Sequence, residues 1–157
     1  MAEFGANAVQ TIQPQGNLVF TSFPNPLEKG IITWEETLNR IILRGVIIPE
    51  YGCNRWRSFA PTAQYYALFS GNIAVSTGGT AEEIQLAIAI DGVEIPVSIM
   101  ASTPAAVEEF NSVSTSLYVP VTRGCCSNIT VKNISEQAID VRNANLTIVR
   151  PDMYISR

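Results

Sequence analysis

The sequence predicts an all-β chain, folded as an antiparallel sandwich or jelly roll. Three observations carry this. Short apolar runs rich in Ile, Val and Thr recur at close intervals, divided by Gly, Pro, Asn and Asp. Ile84, Leu86, Ile88 and Ile90 alternate with Gln85, Ala87 and Ala89, a period of two that gives a strand one core-facing row. No stretch of about 12 residues carries a convincing 3.6-residue period. Roughly eight to ten strands are expected, the count and turn spacing of a sandwich.

Taken in order, residues 1–16 are expected as an N-terminal arm ending at the breaker Pro14-Gln15-Gly16. Asn17 to Thr21 follows as a strand, and Gly30 to Trp34 as another after Pro24-Asn25-Pro26. Thr33 to Arg40 has helix-start features, with Thr33 as cap and Glu35-Glu36 in the first turn, set against β-branched neighbours. Leu38 to Ile48 is rich in Ile, contains Gly45 and closes at Pro49; residues 46–63 read as a long loop. Gln64 to Ser76 is one long strand, or two around Gly71, and ends in the turn-rich Ser76-Thr77-Gly78-Gly79-Thr80. After Ile84 to Ile90 comes Asp91-Gly92, whose residues tolerate the positive φ of a hairpin turn, and then alternation at Val93, Ile95, Val97 and Ile99. Ala101 to Ala106 is a loop with Pro104, and Val107 to Phe110 a helical turn or the start of a strand. Ser112 to Val119 is a strand, Pro120 to Gly124 a turn, and Ser127 to Ile134, Ala138 to Val141 and Asn145 to Val149 are the last strands.

At 157 residues and 46% apolar, residues 1–157 suit one domain that buries about 70% of its unfolded surface. No apolar run approaches the roughly 18 to 20 residues that span a bilayer, so no membrane partner is expected. Met1 to Gln10 lacks the basic and apolar regions of a secretory signal. The chain has no histidine, which removes Ser-His-Asp and Cys-His nucleophiles, His-ligated zinc and an imidazole base. Carboxylate chemistry survives.

Charged residues make up 15%, against about 25% in a typical soluble domain. Among the 10 basic residues only Lys29 and Lys132 are lysine. Lysine solvates free surface, whereas arginine is enriched in interfaces. Hydrophobic assembly is therefore the first functional lead, and a merely Ser/Thr/Asn-rich exterior the bland alternative. Ser58 to Thr122 holds Glu82, Glu83, Asp91, Glu94, Glu108 and Glu109 with no base, while Arg123 to Arg157 is net basic. These patches either meet between subunits or are ordinary scatter on strand faces. Nothing forms the basic stripe of a nucleic-acid binder.

The motifs for chemistry are sparse. Glu82-Glu83 and Glu108-Glu109 are paired acids, but neighbouring strand residues face opposite ways, so each pair gives a site at most one carboxylate. Asp91-Gly92 lacks the spacing of a calcium loop, and Gly78-Gly79 the Lys-Ser/Thr of a phosphate loop. Cys53, Cys125 and Cys126 form no closed disulfide set and read as small buried apolar residues. Sequons at Asn128, Asn133 and Asn145 read as strand and turn residues. No catalytic residue, metal site or cofactor is expected, and the chain reads as a non-enzyme. The recognition candidates are Tyr51, Arg55, Trp56, Arg57 and Phe59, an aromatic and basic cluster suited to plugging a subunit interface or stacking on a sugar. In Tyr65-Tyr66, one ring is expected in the core and one outside.

The run Gly71 to Thr80 with Ile84 to Gly92, together with Thr103 to Glu109, Arg123-Gly124-Cys125-Cys126, Asn143 to Leu146 and the opening Ala6 to Gln10, resembles small proteins encoded by Firmicutes phages and prophages. The resemblance covers most of the chain and departs from the family in residues 46–63, which are longer here. It implies a tumour-necrosis-factor-like jelly roll that assembles as a homotrimer through a wide apolar seam. It also implies a virion role, as a capsid decoration, head fibre or fibre tip, with other virion proteins as partners. A receptor- or carbohydrate-binding module that meets a host surface glycan is the rival. Ile84 to Ile90 and Ser127 to Ile134 are the expected core and seam strands.

Overall fold

The computed structural model describes residues 1–25, 31–45, 62–122 and 126–151. Twelve strands are described: β1 (Ala2–Ala6), β2 (Gln10–Ile12), β3 (Ser22–Asn25), β4 (Ile32–Glu35), β5 (Arg40–Leu43), β6 (Thr62–Val75), β7 (Ile84–Ile90), β8 (Val93–Glu94), β9 (Met100–Ser102), β10 (Asn111–Thr122), β11 (Ser127–Asn133) and β12 (Ile139–Val149). They form two antiparallel sheets. The first runs β10-β6-β12-β1-β3, with β2 also on β12; the second runs β4-β5-β11-β7-β8, with β9 also on β7. Hairpins β4-β5 and β7-β8 stay within the second sheet, while the chain crosses between sheets at β5-β6, β6-β7, β9-β10, β10-β11 and β11-β12, as a jelly roll does.

The core is the meeting of the two inner faces. Phe4, Tyr65, Phe69, Leu146 and Ile148 come from the first sheet, and Ile41, Leu43, Leu86, Ile88, Ile129 and Val131 from the second, all buried in one cluster. The period-two rule places them there: Ala63, Tyr65, Ala67 and Phe69 are inward, while Gln64, Leu68 and Ser70 are exposed. In β7 the outward Ala87 and Ala89 are buried as well. Each lies opposite a longer residue of β11, Lys132 and Thr130.

The Asp91-Gly92 hairpin forms as expected, with φ of 52° and 83°. Of the expected Gln64 to Ser76, Gln64 to Val75 forms one strand, β6, with Gly71 inside it, and Ser76 lies just past its end. Other expectations are corrected. Residues 1–16 are no arm: β1 lies between β12 and β3, and Phe4 is fully buried. Asn17 to Thr21 makes a single bridge, Asn17 to Lys132, rather than a ladder, although Leu18 and Phe20 are buried. Thr33 to Arg40 is a hairpin, not a helix. β4 and β5 pair from Ile32↔Leu43 to Glu35↔Arg40 around a 3-10 turn, Glu36–Leu38, and Asn39 at φ 45°. Burial of Ile32, Ile41 and Leu43 on one face outweighs the local capping signal.

The alternation from Val93 to Ile99 does not continue as a strand. Pro96 has no N–H to give a ladder, and the chain turns 3-10 at Pro96–Ser98. Buried Ser98 takes over: its Oγ accepts from the Ile88 N–H at 2.9 Å and lies 3.1 Å from the Ile88 carbonyl and 2.7 Å from that of Ile95. Val93, Val97 and Ile99 are left exposed. Ala101 and Ser102, expected in a loop, end β9. Pro120 does not end β10, which runs to Thr122 in twelve consecutive pairs with β6. A proline is tolerated because β10 is an edge strand, whose outer side needs no donor. The last two expected strands are one, β12, interrupted by a bulge: Arg142 pairs with Asn72 and Asn145 with Ser70, so Asn143 and Ala144 face Gly71 alone. Cys126 is exposed just before β11, which corrects its reading as a buried residue. Cys53 and Cys125 lie outside the described residues.

Candidate functional site

The recognition candidates Tyr51, Arg55, Trp56, Arg57 and Phe59 lie outside the described residues. The expected seam strands, β7 and β11, supply core on their inner side. The outward positions of β11, at Asn128, Thr130 and Lys132, are polar, so the exposed apolar surface lies elsewhere.

That surface is on the first sheet and wraps around its β10 edge. Neither β6 nor β10 contains a charged residue. Their outward rows differ along the strands. At one end Tyr66 lies opposite Tyr118, ring centroids 5.0 Å apart, with Leu68 and Pro120 beside them. Leu68 is 45% exposed and Tyr118 65%. Around the edge, between the sheets, an apolar groove of about 220 Å³ is lined by Ile90, Ile95, Leu117, Tyr118, Val119 and Pro120. Val93 of β8, and Val97 and Ile99 in and after the 3-10 turn that follows it, are also exposed. Among the described residues, no strand pairs with the outer side of β10.

Farther along the same face, the outward rows turn polar. Ser70, Asn72, Ser112, Ser114 and Asn143, with Gly71 and Val113, line an open hollow of about 310 Å³. The bulge in β12 shapes it, because an extra residue bends the strand and raises its twist. Asn143 sits at φ 52°, and Gly71 has no room for more than a small group, since a Cβ there would meet the Phe69 ring at 3.3 Å. The Ser112 hydroxyl donates to Asn72 Oδ1 at 2.9 Å. Arg142, paired with Asn72 in the ladder, has its guanidinium 4.0 Å over the Phe110 ring.

The carboxylate pairs stay in solvent. Glu82, Glu83, Glu108 and Glu109 are exposed, with Glu108 Oε1 accepting from the Thr77 hydroxyl at 2.6 Å. A third hollow of about 260 Å³ is lined by Glu82, Glu83, Gln85, Ile134, Ser135, Glu136 and Gln137. No group of three or more metal-ligating side chains occurs among the described residues. The Asn133 sequon is structural: Asn133 is fully buried, its Nδ2 donates to the carbonyls of Ile12 and Gln137, and its Oδ1 accepts from the Ser135 N–H. Of Tyr65-Tyr66, Tyr65 is the core ring and Tyr66 the outer one, as expected. The sequence reading missed the Tyr66–Tyr118 patch. The signal available was two long strands without charge.

Comparison with solved structures bears on the fold. The chain is similar to Eiger TNF from S. frugiperda, with a TM-score of 0.63 at 11% identity, over 95% of this chain and 90% of that one. It is also similar to the globular domain of zebrafish complement 1qA, with a TM-score of 0.56 at 8% identity, over 93% and 94%. No protein-family model matches. No curated protein matches. The expected tumour-necrosis-factor-like jelly roll is thus the observed fold.

Proposed function

We propose that this chain is a non-enzymatic subunit that assembles as a homotrimer through the apolar surface wrapping β10. One observation carries the reading: exposed Leu68, Tyr118 and Pro120 with half-buried Tyr66 form an apolar patch on charge-free strands, continuous around an edge with the groove of Leu117, Ile90 and Ile95. A contiguous apolar surface with no charge on it is the character of an interface core. Among the described residues nothing pairs with the outer side of the twelve-residue strand β10, and such an edge invites pairing with other chains. The patch bends around that edge, so one copy can hold a neighbour against the sheet face and another against the groove. Such head-to-tail contacts close into a ring. Interfaces of this kind bury roughly 1,600 Å² or more, and at about 25 cal/mol per Å² that area joins folding to assembly.

The composition supports the same reading: 15% charge leaves little ionic coating for a lone subunit. The role we assign is that of a phage virion component, a capsid decoration or head-fibre or fibre-tip protein. Its support is the sequence resemblance together with a β subunit of low charge in which no catalytic or metal-binding constellation is described. Light scattering tests the assembly. A mass near three times 17.1 kDa is expected for the wild-type chain at micromolar concentration, falling toward one subunit in Leu68→Glu/Tyr118→Glu. A wild-type mass of 17.1 kDa overturns the trimer. Antibody labelling of purified particles from a producing host tests the virion role, and unlabelled particles refute it.

A further inference from the structure

We propose that the polar hollow on the first sheet is a binding site for a neutral carbohydrate, taken up through neighbouring hydroxyl groups. This goes beyond assembly, and it uses the half of the face that the apolar contact does not. Five side chains converge there from three strands: Ser70 and Asn72 from β6, Ser112 and Ser114 from β10, and Asn143 from the bulge of β12. They are three hydroxyls and two carboxamides. Each is neutral, and each both donates and accepts. Among them one internal bond is made, Ser112 to Asn72 Oδ1. It leaves the Asn72 amide hydrogens and the Ser112 lone pairs for a ligand.

The chemistry selects the ligand class. An ion would find no opposite charge among the lining residues. An apolar ligand would strip water from five polar groups and return nothing, at a cost for each. A sugar presents adjacent hydroxyls that both donate and accept, which is what this set can pair. The volume of about 310 Å³ falls at the small end of ligand sites, fitting one ring of a chain rather than a large compound. The walls are prepared. Ser70↔Ser114 and Asn72↔Ser112 are direct cross-strand pairs, so four of the five groups are held by the ladder itself. Few contacts of this kind give millimolar affinity for a single sugar, raised where several copies engage one polymer.

The test is a backbone-amide NMR titration of the full-length chain with glucose, galactose, mannose and N-acetylglucosamine, with glycerol and sodium sulfate as controls. Saturable shifts at residues 70–72, 112–114 and 143 with at least one sugar, at millimolar concentration, are expected. They should weaken at least five-fold in Ser114→Ala and in Asn143→Gly, the second keeping the positive φ. No shift with any of the four sugars overturns the site, as do shifts confined to other residues or equal shifts with glycerol or sulfate. The mass of the same wild-type sample reports assembly separately, so either proposal can fail alone.

Discussion

At the scale of single residues, Tyr65 is fully buried in the core while its neighbour Tyr66 lies on the outer face against Tyr118. Tyr65 and Tyr66 differ in fate because successive strand residues face opposite ways, and that is legible from two letters. The role of Asn133 was not legible. As a letter it opens a sequon; in the fold it closes a junction. It joins the carbonyl that ends β2 at Ile12, the Gln137 carbonyl before β12 and the Ser135 N–H in one fully buried amide. Replacing it with alanine strands two acceptors and one donor away from water, each a penalty of about 1–3 kcal/mol. Asn133→Ala is expected to lose about 3 kcal/mol of stability, read as a lower midpoint in urea unfolding with little change in slope. An Asn133→Ala midpoint equal to the wild type's would mean that this amide does not tie the sheets together. Ser98 is a second case of a small polar residue doing backbone work: its Oγ accepts the Ile88 N–H where the chain leaves the ladder at Pro96.

Elements were legible where the pattern was long and periodic, as in β7 and the hairpin after it. They failed where one residue redirected the chain. Pro96 ended a strand that alternation favoured, while Pro120 did not end one that turn chemistry disfavoured. Pro120 lies on an edge strand inside a twelve-pair ladder that holds it extended, whereas Pro96 follows the two-residue β8 and opens a 3-10 turn, and edge position and ladder length are properties of topology. The bulge in β12 is of the same kind. Asn143 is the extra residue, at φ 52°, and its insertion joins what the sequence showed as two strands. A β-branched residue is strained at that φ, whereas glycine adopts it freely. Asn143→Val is therefore expected to cost about 1–2 kcal/mol, and Asn143→Gly only a few tenths, when thermal unfolding of the two variants is compared. An equal cost for both would show that the side chain, not the backbone angle, holds the bulge.

At the scale of the whole molecule, scarcity of charge was the informative signal, and its location was not. The recognition residues chosen from the sequence, Tyr51 to Phe59, form an aromatic cluster on a local stretch, whereas Tyr66 and Tyr118 meet only because β6 and β10 pair over twelve positions. Sequence separation hid them. If three copies cover this surface, unfolding must separate them, and mass action enters the thermal midpoint. For a trimer that unfolds to three chains, a tenfold rise in protein concentration adds two-thirds of RT ln 10 per subunit, about 0.9 kcal/mol. A chain of this length has an unfolding entropy that turns this into a midpoint rise of about 2–3 °C. A folded monomer shows no such rise. The wild-type chain, scanned at about 5, 50 and 500 μM, is expected to climb by that step each time, and Leu68→Glu/Tyr118→Glu to lie flat. The surface carries no charge on β6 or β10, so the step should hold from low to about 0.5 M salt, where an assembly held by the acidic and basic patches would weaken. A midpoint independent of concentration removes the trimer, and a step that vanishes in salt moves the contact from β10 to the charged surface.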